Sequence, residues 1–158
     1  MKTITWQFST PKEQNEISKL IRLKTCSEIS HVDVLTTDGK YLIGAHIADG
    51  MLARKVDYEE FGLRIQVTVD VTDQQCRLFW EYINSIIGQQ YNCAGILAEA
   101  TGFELTQQGH TFCSEAQADG IKHCGRFKLM KDSCLIDPET LRMVVSSDYS
   151  SVERRIVG

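Results

Sequence analysis

Proline is nearly absent. Pro11 and Pro138 are the two in 158 residues, so no proline-rich linker or extended proline segment divides the chain. Long apolar runs are missing too. Nothing approaches the ~20 apolar residues of a membrane-crossing helix, and the opening MKTITWQFSTPKEQNEISKL holds no apolar stretch of signal-peptide length. The chain is therefore expected to be made in a cytoplasm and to carry no membrane span. Clustered positive charge is also lacking. No Lys/Arg run is longer than a pair such as Arg154-Arg155, and the formal net charge is −4. Binding to phosphate backbones calls for a basic face, so nucleic acid is not an expected partner. With no repeat and no low-complexity tract, one domain over residues 1–158 is the default.

Six cysteines are present, at 26, 76, 93, 113, 124 and 134. Their scattered spacing and a reducing compartment argue against a disulfide framework. Thr10-Pro11 followed by Glu13 reads as an N-cap, a first-turn proline and a capping acid. This predicts a helix from about Pro11 to Lys24, after a strand at Thr3–Ser9. The runs HVDVLTT and YLIGAHIA, joined through Asp38-Gly39-Lys40, predict a β-hairpin. Leu63–Val71 alternates apolar and polar residues, as a half-buried strand does. Thr72 and Gln75 form a capping-box pattern before CRLFWEYINSIIG, where Phe79, Ile83, Ile86 and Ile87 recur at helical spacing and Gly88 closes the helix. A short helix is expected after Asn92, ending near Gly102, then a loop over Phe103–His110. Another helix should start near Cys113, and a last one should run from Asp137-Pro138 to about Val145. A helix, a β-meander and then several helices make an α+β pattern.

Cys113 is placed where chemistry is available. Thr111 is a candidate N-cap, which sets the cysteine in the first turn of its helix. Unpaired backbone N–H groups there favour a thiolate and can also hold an oxyanion. A histidine must then approach from elsewhere as the base, and His31 opens a strand, a rigid mount. A cysteine spaced with Ala116 and Gly120 is equally what a buried core thiol looks like, and spacing alone leaves both readings open. His110, Cys113, His123 and Cys124 lie close enough in sequence to suggest zinc, but His123 and Cys124 are adjacent and cannot readily turn to one ion. No metal or cofactor is expected. Cys26, Cys76, Cys93 and Cys134 read as core or semi-buried thiols, and Trp6, Phe79 and Trp80 as core aromatics.

Five segments in order sharpen this reading: Ser30-His31-Val32, the Asp38-Gly39 hairpin, GQQYN (Gly88–Asn92), FCSE (Phe112–Glu115) and IDPETL (Ile136–Leu141). Together they resemble the circularly permuted branch of the NlpC-type, papain-like cysteine hydrolases, in which the histidine strand precedes the cysteine helix. The resemblance implies a papain-like α+β fold, with an antiparallel β-meander or small barrel against helices and the nucleophile at a helix N-terminus. It makes Cys113 the nucleophile and His31 the base, with Tyr91 and Ser114 beside them to bind substrate or oxyanion. Relatives carry a histidine or glutamate just before the alanine of the second hairpin strand. Here that position is Gly44, which can orient nothing. His46, two residues on and on the same face, is the candidate third catalytic residue. Asp33, where many relatives have glycine, shares a face with His31 and is the alternative.

The implied activity is hydrolysis of an amide, first of all in a cell-wall peptide, through an acyl-enzyme. A lipid acyltransferase or thioesterase of the same fold is the other enzymatic reading. A catalytically silent binding module, for instance in a phage particle, is the third. The expected partner is a peptide or acyl substrate. A cell-wall substrate for a chain without a signal peptide would require export by a phage or secretion machine.

Overall fold

Apolar side chains at every second position give β1 (Lys2–Pro11) a face made of Ile4, Trp6 and Phe8, all buried. The computed structural model of the chain describes residues 1–13, 16–46, 49–91, 110–111 and 113–157. After β1 come α1 (Glu16–Thr25), β2 (His31–Leu35), β3 (Tyr41–His46), β4 (Gly50–Lys55), β5 (Phe61–Val71) and α2 (Asp73–Ser85). Two short strands follow, β6 (Gln90–Tyr91) and β7 (His110–Thr111). The chain ends with α3 (Cys113–Cys124), a 3₁₀ turn at Ser133–Leu135, α4 (Pro138–Ser146) and β8 (Val152–Val157).

Six strands form one antiparallel sheet in the order β4-β3-β2-β1-β5-β8, and β6 and β7 pair in parallel beside it. The sheet is open. The small barrel is therefore replaced by a sheet with edges at β4 and β8. Register carries the apolar face across it: Phe8 opposes Val32 and Ile65, Trp6 opposes Val34 and Val67, and Ile43 lies beside Val34. This face packs on the helices, with Trp6 edge-on to Phe79 of α2 at 5.6 Å between ring centroids. α3 lies against α2 because residue 120 is glycine. A Cβ there would sit 2.8 Å from the Phe79 ring. Among the described residues no helix is long and apolar enough to cross a membrane.

Several sequence expectations hold in detail. The Thr72–Gln75 capping box forms in both directions. Asp137 caps α4, with Pro138 in its first turn. Asp38 accepts from the Lys40 N–H, and Gly39 takes φ +70° in the hairpin turn. Others need correction. Pro11 does not start a helix. It ends β1, opposite Phe61, after a register shift at Thr10/Pro11, and α1 begins only at Glu16. A strand end beside a bulge is a place where a residue without an N–H is tolerated. Ile87 is exposed, so the α2 stripe stops at Ile86. β4 and β8 are strands that no local sequence pattern announces. The expected helix after Asn92, the loop over Phe103–His110 and Cys93 lie outside the described residues.

Candidate active site

β2 and β3 build one polar patch from four positions. His31 and Asp33 are two apart on β2, and Gly44 and His46 two apart on β3. His31 Nε2 lies 2.8 Å from Asp33 Oδ1. His46 Nε2 lies 3.5 Å from the same oxygen, and its ring stacks obliquely on that of His31 at 4.2 Å between centroids. The group that accepts from the His31 imidazole is therefore Asp33, the alternative, while His46 lies farther from the same carboxylate oxygen. The Asp33 side chain is 1% exposed, against 13% for His31 and 21% for His46. The two histidines thus form the solvent-facing rim over a buried charge.

Gly44 is what makes room for that charge. A Cβ at position 44 would stand 1.9 Å from Asp33 Oδ1, inside the carboxylate itself. Aspartate at 33 and glycine at 44 are thus one structural fact. The space that a side chain on β3 would fill is filled by a side chain from β2.

Tyr58, in the turn between β4 and β5, closes the network. Its hydroxyl is 3.2 Å from Asp33 Oδ2 and 3.2 Å from His46 Nε2. The donors can be assigned by elimination. An ionised carboxylate only accepts, so Tyr58 donates to Asp33. The Tyr58 oxygen then accepts from His46, which places the His46 proton on Nε2. Sequence reasoning misses Tyr58 because no local motif marks it. An aromatic followed by acids in a turn looks like any solvated loop.

Cys113 is the first residue of α3, and its thiol lies near enough to the His31 imidazole to raise its basicity. With Nε2 committed to Asp33, the nitrogen left for the sulfur is Nδ1. Residues 82 apart in sequence are thus brought together. The helix starts at Cys113, and Thr111 belongs to β7 rather than capping the helix; residue 112 lies outside the described residues. Cys113 itself is buried, at 3% exposed. Ser114 is buried as well, so what it can offer an oxyanion is its backbone N–H at the helix start. The Tyr91 backbone pairs with Thr111, two residues before the cysteine. The Tyr91 side chain lies outside the described residues.

The charges follow from this packing. Burial alone would make His31 a weaker base, but the Asp33 charge, and then the Cys113 sulfur, raise its pKa well above 6.5. Burial opposes ionisation of Asp33, yet the His31 charge and the hydrogen bonds of both histidines hold it well below the usual carboxylate range. Burial, and then repulsion from His31, lower His46 to about 4 despite Asp33. His31 is thus the more basic of the two rings, and His46 stays neutral. Burial and the Asp33 charge push the Tyr58 hydroxyl far up, so it remains a donor.

No protein-family model and no curated protein matches the chain. A solved structure does. The chain is similar to the crystal structure of the metalloprotein yiiX from Escherichia coli O157:H7, DUF1105, at 14% sequence identity and a TM-score of 0.68, over 97% of this chain and 96% of that one. At that identity the likeness is one of fold: an α+β arrangement with an open antiparallel sheet against helices.

The zinc grouping that sequence proximity suggests is not the one with metal geometry. Among the described residues, the His/Cys/Asp/Glu group whose ligand atoms converge is His31, Asp33 and His46, all within 4.8 Å of one another. Their spacing of two and thirteen residues on strands carries no ligand signature in the sequence.

Proposed function

We propose that this chain is a cysteine hydrolase of the permuted papain-like type, with Cys113 as nucleophile, His31 as base and Asp33 as the residue that orients the base. The observation that carries it is the His31 imidazole held between a buried carboxylate at 2.8 Å and a thiol at the start of a twelve-residue helix. Asp33 fixes the Nε2–H tautomer and leaves Nδ1 to take the thiol proton. The thiolate adds to an acyl carbonyl, and the oxyanion is held by the backbone N–H groups of Cys113 and Ser114 at the start of α3. As the intermediate collapses, the imidazolium returns that proton to the leaving group. Water then attacks the acyl-enzyme, His31 taking its proton and giving it back to Cys113. The segments that resemble the NlpC-type family make a cell-wall peptide amide the first substrate.

The yiiX protein is described as a metalloprotein. In this chain the residues that would hold a metal are His31, Asp33 and His46, and two imidazoles with a carboxylate fit a zinc-class ion. Such an ion supplies Lewis-acid chemistry when bound. The hydrolytic steps above use none of it.

The test is to incubate metal-free protein with a peptide amide, an ester and a thioester, and to map acylation by mass spectrometry. Acyl adducts confined to Cys113, with turnover abolished in Cys113→Ala, are expected. A chain inert towards all three, with Cys113 no more reactive than Cys26, would overturn the reading in favour of a silent module.

A further inference from the structure

We infer that His31, Asp33 and His46 are a binding site for a zinc-class divalent ion, and that the ion and Cys113 compete for one imidazole, so that the filled site holds the thiol without a base. The competition half rests on the hydrolase reading. The binding half does not.

The donor set is specific. Ligands of one tetrahedral zinc ion stand about 3.3 Å apart when each is ~2.0–2.1 Å from the metal. Here Asp33 Oδ1 is 2.8 Å from His31 Nε2 and 3.5 Å from His46 Nε2, so two edges already bracket that spacing. The third, between a ring nitrogen of each histidine, is within 4.8 Å and closes by rotating two partly exposed rings. Two nitrogens and one oxygen suit zinc, cobalt or nickel, and they do not suit magnesium or calcium, which take oxygen ligands. The outer shell is in place as well. Tyr58 donates to Asp33 Oδ2 and so leaves Oδ1 for the ion. Three nearby groups set the local charge. Asp33 and the half-buried Glu59 favour a cation, and Arg54, whose charge is felt at His46, opposes it.

Occupancy changes what His31 can do. An ion on Nε2 takes the lone pair that otherwise carries the Asp33-bound proton. That proton is displaced, and the neutral ring bound to the ion carries its single proton on Nδ1, facing the sulfur. His46 has only to shift its proton from Nε2 to Nδ1, with no net loss. The ring of His31 then has no free lone pair and cannot accept the thiol proton. It neither generates the thiolate by transfer nor protonates a leaving group.

Chelator-stripped full-length protein is titrated with Zn²⁺ by calorimetry and with Co²⁺ by visible absorption, with Mg²⁺ as the control. One Zn²⁺ and one Co²⁺ per chain are expected, with no Mg²⁺ heat. His46→Gln should weaken binding at least tenfold while melting cooperatively, and Asp33→Asn serves if that variant fails to fold. The competition is read by iodoacetamide alkylation at neutral pH, followed peptide by peptide. Saturating Zn²⁺ should slow Cys113 at least tenfold in the wild type and leave Cys26 unchanged. Absence of binding to the wild type would overturn the site. A cobalt–thiolate charge-transfer band, together with loss of binding in Cys113→Ser, would also overturn it, because the ion would then sit on the sulfur. Binding without any change in Cys113 alkylation would overturn the competition. A failed hydrolase reading registers separately, as absent turnover in metal-free protein.

Discussion

Asp33 and Gly44 share one volume, and this makes a sharp residue-scale prediction. Gly44→Ala places a methyl group inside the space of the Asp33 carboxylate and should cost about 1–3 kcal/mol, by the usual cost of overpacking. In an Asp33→Gly background the same substitution meets chiefly the Val32 carbonyl at 3.1 Å, and most of the cost should vanish. Urea unfolding of the four proteins in this cycle gives the coupling. Additive losses would mean that the two positions do not contend for one space. Asp33→Asn should lower turnover by less than the ~10⁴ seen for the same change in a serine triad, and by less than His31→Ala, since it keeps the shape and removes the charge that holds the tautomer. Cys113 is a different case. It is buried, yet Cys113→Ala removes a single sulfur, and chemical denaturation should show a loss near ~1 kcal/mol beside complete loss of turnover.

The turn between β4 and β5 matters at the scale of elements because Tyr58 ties it to the hairpin. Tyr58→Phe keeps the edge-on contacts with His46 and Phe61 and removes the hydroxyl. A hydrogen bond to a charged acceptor contributes about 1.5–3 kcal/mol. The melting temperature should therefore fall by several degrees for a chain of this length. A variant melting with the wild type would show that Asp33 needs no support from this turn. The hairpin and the α3 start are legible in the sequence because each carries a local signal: Asp38-Gly39 for the turn, and an aromatic-Cys-Ser-Glu string before small residues for the helix. β4 and β8 are not legible. Gly50–Lys55 and Val152–Val157 are short edge strands rich in charge, and their strand state depends on pairing with β3 and β5. Pro11 misleads for a related reason. Thr10-Pro11 carries the local chemistry of a helix start, and the pairing of β1 with Phe61 overrides it. In the site, His31 and Cys113 are readable as residue types. That Asp33, not His46, holds the imidazole stays open in the sequence, because both alternate onto one face and only the β2–β3 packing around Gly44 separates them.

At the scale of the whole molecule, the His31–His46 pair makes stability depend on pH in two opposite senses. His46 has a folded value of about 4 against an ordinary 6.5. Between those values the unfolded chain binds a proton that the folded chain refuses, so stability falls as pH falls through that window. His31 is raised above 6.5, so its contribution is fully present below 6.5 and is lost as pH rises towards its folded value. Asp33 is depressed, and its contribution disappears only when the pH falls through the acid range below 3.8. Metal-free protein should therefore melt highest near pH 6.5, with losses on both sides. The His46 limb should amount to roughly 1–3 kcal/mol, since a tenfold change in proton affinity between folded and unfolded chain is worth about 1.4 kcal/mol and the ring is partly solvated. His46→Gln should flatten the limb between pH 6.5 and 4 and leave the limb above 6.5 standing, because His31 keeps its partner Asp33. Scanning calorimetry from about pH 4 to about pH 9 on both proteins separates the two. If the variant instead loses the alkaline limb and keeps the acid one, the proton at neutral pH resides on His46, and the charge assignment of the pair is reversed.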